Sequence, residues 1–426
     1  MRLDYIILIC LLTVGFFSGC AKLDDLTPPT IVWSEPGANT VINVPDTLKI
    51  VAEVSDNSII TTILVTLVDD QDKPLVPAQY YYPDADKFTV TCYLPIDDKL
   101  ISSGQYRLLI TAFDGLNSKN EYRAVQIHEL PLELQGYIAI TSAYPFKTTV
   151  TRLDNFFNPD TSFLVETGFA LSAYSNIWDQ FYYVSPSPST LWAYPIESFE
   201  PLWEFAAEQP RPEITSLFSD RQLIFATANG DAGILNEGGN VILRTPEMPG
   251  KEMYCLAADD TYIYAELVSL SGDQRSIIAF YRVTGNIRSQ KNISNDIFAL
   301  LPVDGKALMI TGSGISTIIS EFDPDNTLIT TLKTMQEMNV ASAIKISGDE
   351  VLIFTDSEVL LYDHYLNSVS EYLPDGYRFG RLDKLNSQLF AVKDMKVDIY
   401  NLQDAEFIRT LTFDAPVEDF QILFNK

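Results

Sequence analysis

Basic residues and histidines are scarce in this chain of 426 residues. It contains 29 Lys and Arg against 57 Asp and Glu, so the formal net charge is −28 at pH 7. Nucleic-acid binding requires clustered Lys and Arg, and this composition argues against it. The same charge repels anionic membrane surfaces and argues against an electrostatic membrane contact. A hydrophobic content of 46% nevertheless indicates a packed globular chain rather than a disordered one.

The scarcity of histidine, with only His128 and His364, argues against a His-based catalytic triad and against a multi-His zinc site. We interpret both histidines as surface or turn residues. Gly-x-Ser-x-Gly, P-loop and His-Glu-x-x-His motifs are absent from the sequence. Asp323-Pro324-Asp325-Asn326 offers oxygen ligands but lacks the Gly and distant Glu of an EF-hand, so we interpret it as a turn. We therefore expect no catalytic residue, no cofactor and no metal.

Cysteines number only four, and one of them marks the N-terminal region. Residues 5–17 are almost all apolar; the run is shorter than the ~20 residues of a membrane span but suits a signal-peptide core of ~7–15 residues. It ends in Phe17-Ser18-Gly19-Cys20, which resembles a bacterial lipobox. The resemblance implies a lipoprotein signal peptide over residues 1–19 and lipidation of Cys20. The alternative is an ordinary signal peptide with an incidental Cys. Cys92 and Cys255 lie in apolar strand patterns and are interpreted as core residues.

The segment after Cys20 reads Ala21-Lys22-Leu23-Asp24-Asp25. It resembles the Lys-plus-acidic export signal of surface lipoproteins in some Gram-negative gut bacteria. The resemblance implies a lipid anchor in the outer membrane, with display on the cell surface favoured over a periplasm-facing position. Residues 20–27 would then be the lipidated tether, and two or more acyl chains would hold it stably in the membrane.

Residues 28–128 have the strand pattern of an all-β sandwich of Ig size. Residues 48–54 and 60–68 predict two strands, with a turn at Ser55-Asp56-Asn57 between them. Residues 104–114 read Gly-x-Tyr-x-Leu-x-Ile-x-Ala-x-Asp, with the apolar members on one face of a strand. This phrase resembles the penultimate strand of bacterial Ig-like or cadherin-like domains. The resemblance implies a fold and no ligand.

One phrase occurs seven times in the rest of the chain: an alternating apolar strand that ends in an aromatic residue or Leu, a polar turn and a second strand. The anchor residues are Leu153, Tyr194, Leu235, Tyr281, Phe322, Tyr362 and Tyr400. Their spacings are 41, 41, 46, 41, 40 and 38 residues. A period near 40 with several short strands per unit is typical of a β-propeller, whose units pack around a ring.

The repeats predict a linker at residues 129–135 and a seven-bladed propeller over residues 136–426. The first blade lacks a first strand, and the chain ends in a spare one at residues 418–424. Because open sheet edges are a liability, we expect that strand to complete the first blade. The one helical pattern covers residues 331–340. The units resemble quinoprotein-like or YVTN-like propellers, a fold-level likeness that implies no particular function.

Aromatic residues are the candidates for ligand contact. Tyr80, Tyr81 and Tyr82 precede Pro83 in a segment predicted as a loop of the Ig-like domain. Exposed aromatic rings can stack on sugars or anchor protein partners, whereas buried ones only pack between sheets. A second group spans the second blade and is interpreted as packing; its members are Trp178, Phe181, Tyr182, Tyr183, Trp192 and Tyr194.

These features predict a lipid-anchored cell-envelope protein that binds or scaffolds without catalysis. It would capture a glycan or a protein partner at the propeller face, with the Ig-like domain between the lipid and the ring. The alternative is a propeller enzyme, a glycosidase or lyase, that acts on polysaccharide through carboxylates in the central funnel. Two funnel carboxylates at glycosidase separation would favour the enzyme, whereas a lining of apolar and neutral polar side chains would favour binding.

Substitution of Cys20 tests the lipid anchor. Cys20→Ala removes the thiol that would carry the lipid, so we expect the protein to move from the membrane fraction to the soluble fraction. Membrane fractionation and intact mass of the wild-type protein measure this. Retention of the variant in the membrane, together with no lipid mass on the wild type, would contradict the prediction.

Overall fold

The structure is a computed structural model that describes residues 26–143, 147–186, 188–198, 200–211, 213–312 and 315–426. In these ranges the chain forms strands and turns but no helix. The described residues therefore contain no helix that is long and apolar enough to cross a membrane. The predicted all-β class is confirmed. The described residues form two compact units, a first that ends at Pro131 and a second that begins at Leu132. The predicted signal peptide and Cys20 lie outside the described residues.

The first unit contains eight strands in its described part. They are β1 (Thr30–Glu35), β2 (Thr40–Asn43), β3 (Asp46–Ile60), β4 (Thr62–Val68), β5 (Gln79–Tyr81), β6 (Ala85–Ile96), β7 (Gly104–Phe113) and β8 (Ser118–His128). They form one sheet in the order β1-β3-β6 and a second in the order β2-β8-β7-β4-β5.

The two sheets of the first unit share a single apolar core. Alternate residues of each strand point into it, as the period of a half-buried strand requires. On β7 the inward residues are Leu108, Ile110 and Ala112, and Cys92 on β6 is buried among them. The predicted turn at residues 55–57 is wrong, because β3 runs on to Ile60. Its register with β6 shifts between Ser55 and Ile60, so the polar residues form an irregularity within the strand rather than a turn.

The described residues of the second unit form seven four-stranded antiparallel sheets, numbered 1 to 7 along the chain. Sheet 1 has β9 (Leu134–Ala143), β10 (Lys147–Leu153), β11 (Pro159–Val165) and the last strand, β36 (Val417–Phe424). Sheet 2 has β12 (Leu171–Ser175), β13 (Gln180–Val184), β14 (Thr190–Pro195) and β15 (Trp203–Ala206). Sheet 3 has β16 (Ile214–Ser219), β17 (Leu223–Thr227), β18 (Ala232–Leu235) and β19 (Val241–Arg244).

The remaining four sheets follow in chain order. Sheet 4 has β20 (Lys251–Ala258), β21 (Tyr262–Ser269), β22 (Arg275–Tyr281) and β23 (Ile287–Ile293). Sheet 5 has β24 (Asp296–Val303), β25 (Lys306–Gly312), β26 (Ser316–Asp323) and β27 (Leu328–Gln336). Sheet 6 has β28 (Val340–Lys345), β29 (Glu350–Thr355), β30 (Val359–Asp363) and β31 (Ser368–Leu373). Sheet 7 has β32 (Phe379–Asp383), β33 (Gln388–Lys393), β34 (Lys396–Asn401) and β35 (Phe407–Thr412).

One strand from each sheet contributes to a closed circle, which we call the inner ring. Its members, in order of contact, are β36, β12, β16, β20, β24, β28 and β32, and β32 contacts β36 again. β36 pairs with β9, with Ile422 opposite Tyr137, so the prediction that the last strand completes the first blade is confirmed. This is the sheet arrangement of a β-propeller.

Apolar cores lie between neighbouring sheets of the circle. Residues of β9 alternate between two of them: Tyr137 and Ala139 face sheet 7, whereas Ile138 and Ile140 face sheet 2. Because both faces of a sheet are covered in this way, its second strand is a continuous apolar run instead of an alternating one. Phe181–Val184 in sheet 2 and Leu223–Thr227 in sheet 3 are buried at every residue.

The seven anchor residues all lie at or near the end of the third strand of a sheet, counted from the inner ring. Six of them are at most 9% exposed, whereas Tyr281 is 38% exposed. The sequence repeat therefore corresponds to one structural position. The helical pattern at residues 331–340 is wrong, since residues up to Gln336 belong to β27, which pairs with β26. Pairing with a neighbouring strand has overridden the local helical preference there.

Phe420 on β36 tests the closure of the circle. Its fully buried ring lies between Phe390 of sheet 7 and Tyr137 of sheet 1, at centroid distances of 5.4 and 5.7 Å. Phe420→Ala should lower the free energy of unfolding by about 3–5 kcal/mol. Phe407→Ala, on the outer strand of sheet 7, should lower it by at most about 1 kcal/mol, because that ring is exposed and makes one edge contact with Tyr400 at 5.7 Å. Denaturant unfolding of both variants measures this, and equal losses would contradict the role of β36.

Candidate functional site

The tyrosine triplet lies partly in a strand rather than in a loop. Tyr80 and Tyr81 belong to β5, the edge strand of the five-stranded sheet, and Tyr82 follows it directly. Tyr80 and Tyr82 are 56% and 73% exposed, whereas Tyr81 is half-buried against the core. The alternation along the strand therefore divides the predicted site into two exposed rings and one packed ring.

Polar and aromatic contacts hold the Tyr81 side chain against the core of the first unit. Its ring lies 6.1 Å from that of Phe88, and its hydroxyl donates to Oε1 of Gln79 and to the carbonyl of Thr91, both at 3.4 Å. Burial raises the pKa of Tyr81 to about 12, and the neighbouring thiol of Cys92 adds to the shift. These contacts identify Tyr81 as a packing residue.

The aromatic group of the second blade packs as interpreted from the sequence. Phe181, Tyr182 and Tyr183 are fully buried in β13, and Tyr194 is nearly so. The hydroxyl of Tyr183 donates to the carbonyls of Thr167 and Gly168, at 3.1 and 2.8 Å. The two Trp rings of the group are partly buried against the cores on either side of sheet 2. The group therefore stabilises the sheet.

The predicted turn at Asp323 is confirmed. Its Oδ1 accepts hydrogen bonds from the backbone N–H groups of Asp325 and Asn326, and Oδ2 accepts one from the Asn326 amide at 2.8 Å. His364 lies in the hairpin between β30 and β31, with Nε2 3.6 Å from Glu321, and His128 is exposed at the end of β8. Among the described residues no three His, Cys, Asp or Glu side chains converge as metal ligands.

The inner ring carries a network of polar side chains that the sequence analysis missed. At its centre is Asp419 on β36, which is buried. Arg381 on β32 donates to Oδ1 at 2.7 Å, and Gln421 donates to Oδ2 at 2.7 Å. The hydroxyl of Ser172 on β12 also donates to Oδ2. One carboxylate thus joins three neighbouring strands of the ring, including the strand that closes it.

A second cluster lies on the opposite part of the inner ring. Arg211, just before β16, donates from Nη1 to Glu252 Oε1 at 2.8 Å and from Nη2 to the Lys251 carbonyl at 3.0 Å. The hydroxyl of Tyr254 donates to the other oxygen of Glu252 at 2.6 Å. Burial, together with this hydrogen bond, raises the pKa of Tyr254 to about 12. Both carboxylate oxygens of Glu252 therefore accept hydrogen bonds.

The other carboxylates of the inner strands also have ion-pair or hydrogen-bond partners. Glu418 pairs with Arg378 at 3.1 Å, and Asp296 pairs with Arg275 at 2.8 Å. Asp383 accepts from the N–H groups of the turn that follows it. Together with Glu252 and Asp419, these make up the five carboxylates in the inner strands of the described chain. Arg residues in and beside apolar strands were the sequence signal for this polar network, because a partly buried guanidinium needs a carboxylate or carbonyl partner.

The two classes of tyrosine in the triplet are separable by mutation. Tyr81→Ala should lower the free energy of unfolding by about 2 kcal/mol, because it removes a ring packed against the core. Tyr80→Ala and Tyr82→Ala should each change it by less than about 0.5 kcal/mol. Chemical denaturation of the three single variants measures the difference. A large loss for Tyr82→Ala would show that its exposed ring packs elsewhere.

No protein-family profile matches this chain, and no curated protein sequence does either. Among solved structures, a quinoprotein alcohol dehydrogenase-like protein from Bacteroides thetaiotaomicron is similar, with 11% identity, a TM-score of 0.48 and coverage of 93% of this chain and 99% of its own. AztD from Citrobacter koseri has 11% identity and a TM-score of 0.48, over 68% of this chain and 98% of its own. BamB from Moraxella catarrhalis has 13% identity and a TM-score of 0.43, over 67% and 92%. Similarities at this level carry no ligand or activity over to this chain.

Proposed function

We propose that this chain is a lipid-anchored protein of the outer membrane, displayed on the cell surface, that binds a glycan or protein partner without turning it over. The lipid would be carried by Cys20. The first unit would be an Ig-like domain, with Tyr80 and Tyr82 as an accessory contact surface. The second unit would be a seven-bladed β-propeller that supplies the main binding face.

Seven sheets and the closed inner ring support the propeller assignment. Each inner strand contacts two others, and each gap between neighbouring sheets is filled by its own apolar core. A ring of this kind is rigid, because no sheet can tilt without opening two cores. Rigidity suits a binding surface, since little conformational entropy is lost when a partner is bound.

The occupancy of the inner-ring carboxylates is the observation that carries the proposal. Glycoside hydrolysis needs one carboxylic acid that can donate a proton and a second carboxylate that is free to act as base or nucleophile. Asp419, Glu252, Glu418 and Asp296 are instead each paired with an Arg. Each of these carboxylates is thus held by a guanidinium, whereas the two carboxyl groups of a glycosidase are directed at the sugar.

The same pairs fix polar groups where the inner strands begin, and this end of the ring is the proposed binding face. Arg378 precedes β32 and donates to the carbonyl of Glu418 at 2.8 Å as well as to its carboxylate. Its side chain remains 45% exposed, so donors of the guanidinium stay accessible. A fixed and exposed Arg suits the hydroxyls of a glycan or the backbone carbonyls of a protein.

Charge reversal at this face tests the proposal. The purified protein would be assayed by affinity electrophoresis against starch, xylan, galactomannan and pectin, and by photo-crosslinking to envelope proteins from the exposed position of Asp375, just before β32. We expect binding without release of reducing ends, and binding about tenfold weaker in Arg378→Glu. Arg409→Glu, on the outer strand β35, should bind as the wild type does. Release of reducing ends that is abolished by Asp419→Asn or Glu252→Gln would show an enzyme instead.

A further inference from the structure

The hairpin between β22 and β23 differs from the equivalent hairpins of the other sheets. In five of those, the residue after the anchor is Asp or Asn, and its side chain accepts hydrogen bonds from backbone N–H groups of the turn; they are Asp154, Asn236, Asp323, Asp363 and Asn401. In the β22–β23 hairpin the anchor is the exposed Tyr281 and the next residue is Arg282. Positions 281 and 282 of this hairpin therefore both differ from the repeat, the first in its exposure and the second in its residue type.

Arg282 fixes this hairpin to the neighbouring sheet. Its guanidinium is nearly buried and donates to both carboxylate oxygens of Asp220 at 2.7 Å. It also donates to the carbonyl of Asp259 at 2.8 Å and to Gln222 at 3.2 Å. Gly285 completes the turn with φ at +70°, where an added Cβ would lie 2.8 Å from the Arg244 carbonyl oxygen. The backbone around Tyr281 is thus held in one conformation, which favours binding by reducing the entropy lost.

An open cavity of about 580 Å³ lies beside the ring of Tyr281. It is lined by Asp260, Thr261, Tyr281, Val283, Thr284 and Asn286. Val283 is 84% exposed and extends the apolar surface of the tyrosine ring. The side chains around this apolar floor are a carboxylate, an amide and two hydroxyls, all able to exchange hydrogen bonds with a polyol.

Neighbouring side chains hold the Tyr281 ring in place. The Tyr262 ring packs at 5.7 Å, and the Arg288 guanidinium lies 6.0 Å from the Tyr281 centroid. Tyr262 and Arg288 both donate to Asp325 Oδ1, at 2.5 and 3.1 Å, and these hydrogen bonds lower the pKa of that carboxyl. Arg288 lies against the Tyr281 ring, and Nη1 of Arg221 lies 3.5 Å from Asp260 Oδ1. The two groups that would attract a cationic ligand therefore each have a cation beside them already. The net charge of −28 disfavours an anionic one.

We propose that this cavity binds a neutral pyranose residue of a glycan. The apolar C–H face of the sugar would stack on Tyr281 and Val283, while its hydroxyls would bond to Asp260, Asn286 and Thr284. The inference rests on the proposed binding function but concerns a different place. Tyr281 lies beside the turn that follows inner strand β20, whereas the proposed binding face lies where the inner strands begin.

Affinity electrophoresis of the purified protein tests this site. The probes are amylopectin, mixed-linkage β-glucan, xylan and galactomannan, with polygalacturonate as the anionic comparison. We expect at least one neutral polysaccharide to retard the wild type, and Tyr281→Ala to weaken that binding on the order of tenfold. Tyr281→Phe should bind as the wild type does because it keeps the ring. Melting temperatures of both variants show whether the fold is intact.

Tyr365→Ala is the matched control, because Tyr365 is 83% exposed in the equivalent hairpin of sheet 6. It should bind as the wild type does. The proposal is overturned if no neutral polysaccharide retards the wild type, if only polygalacturonate does, or if Tyr281→Ala binds as tightly as Tyr365→Ala. If Arg378→Glu abolishes glycan binding while Tyr281→Ala leaves it intact, the proposed function is supported and the proposed site at Tyr281 is contradicted. The reverse pattern assigns glycan binding to this cavity and removes it from the other face.

Discussion

Backbone pairing between β36 and β9 joins two segments that are separated by almost the whole sequence of the second unit, and the remaining sheets depend on this contact. Each sheet has two apolar faces, and a row of such sheets would leave one face bare at each end. The pairing brings sheet 7 against sheet 1 and covers both. Phe420, Tyr137 and Phe390 meet in the core that results. The second strands can be apolar on both faces because closure of the row leaves neither face exposed to water.

The polar groups of the inner ring are explained by the same closure. Inner strands from different sheets contact one another without forming a shared hydrogen-bonded sheet. Side chains must therefore supply the polar contacts between them, and Asp419 does so for β32, β36 and β12. Each such carboxylate is desolvated in part, so each needs an Arg or several neutral donors. The arrangement that holds the ring together thus also engages these carboxylates in hydrogen bonds and ion pairs within the ring.

The period of the chain could be predicted from the sequence because an anchor residue falls at the same strand position in each sheet. The closing strand could be predicted too, since the first repeat lacked one strand and the end of the chain had one to spare. Local signals failed where tertiary pairing overrode them, as in the polar residues 55–57 within β3 and the helical pattern that belongs to β27. Tyr281 could not be distinguished from the other anchors by its own identity. The signal was its neighbour Arg282, which stands where five of the other turns have Asp or Asn, and the role of Arg282 depends on Asp220 from another sheet.

The seven inter-sheet cores also govern how the ring can open. A linear array of repeats frays from its ends, because a terminal repeat has only one interface to lose. Here a sheet must break two of the seven inter-sheet cores to leave the ring, twice the number that a terminal repeat of a linear array loses. On this argument, a closed ring has fewer low-lying partially open states than a linear array with the same number of repeats. A protein exposed to proteases would gain persistence from a ring whose sheets open only at this cost.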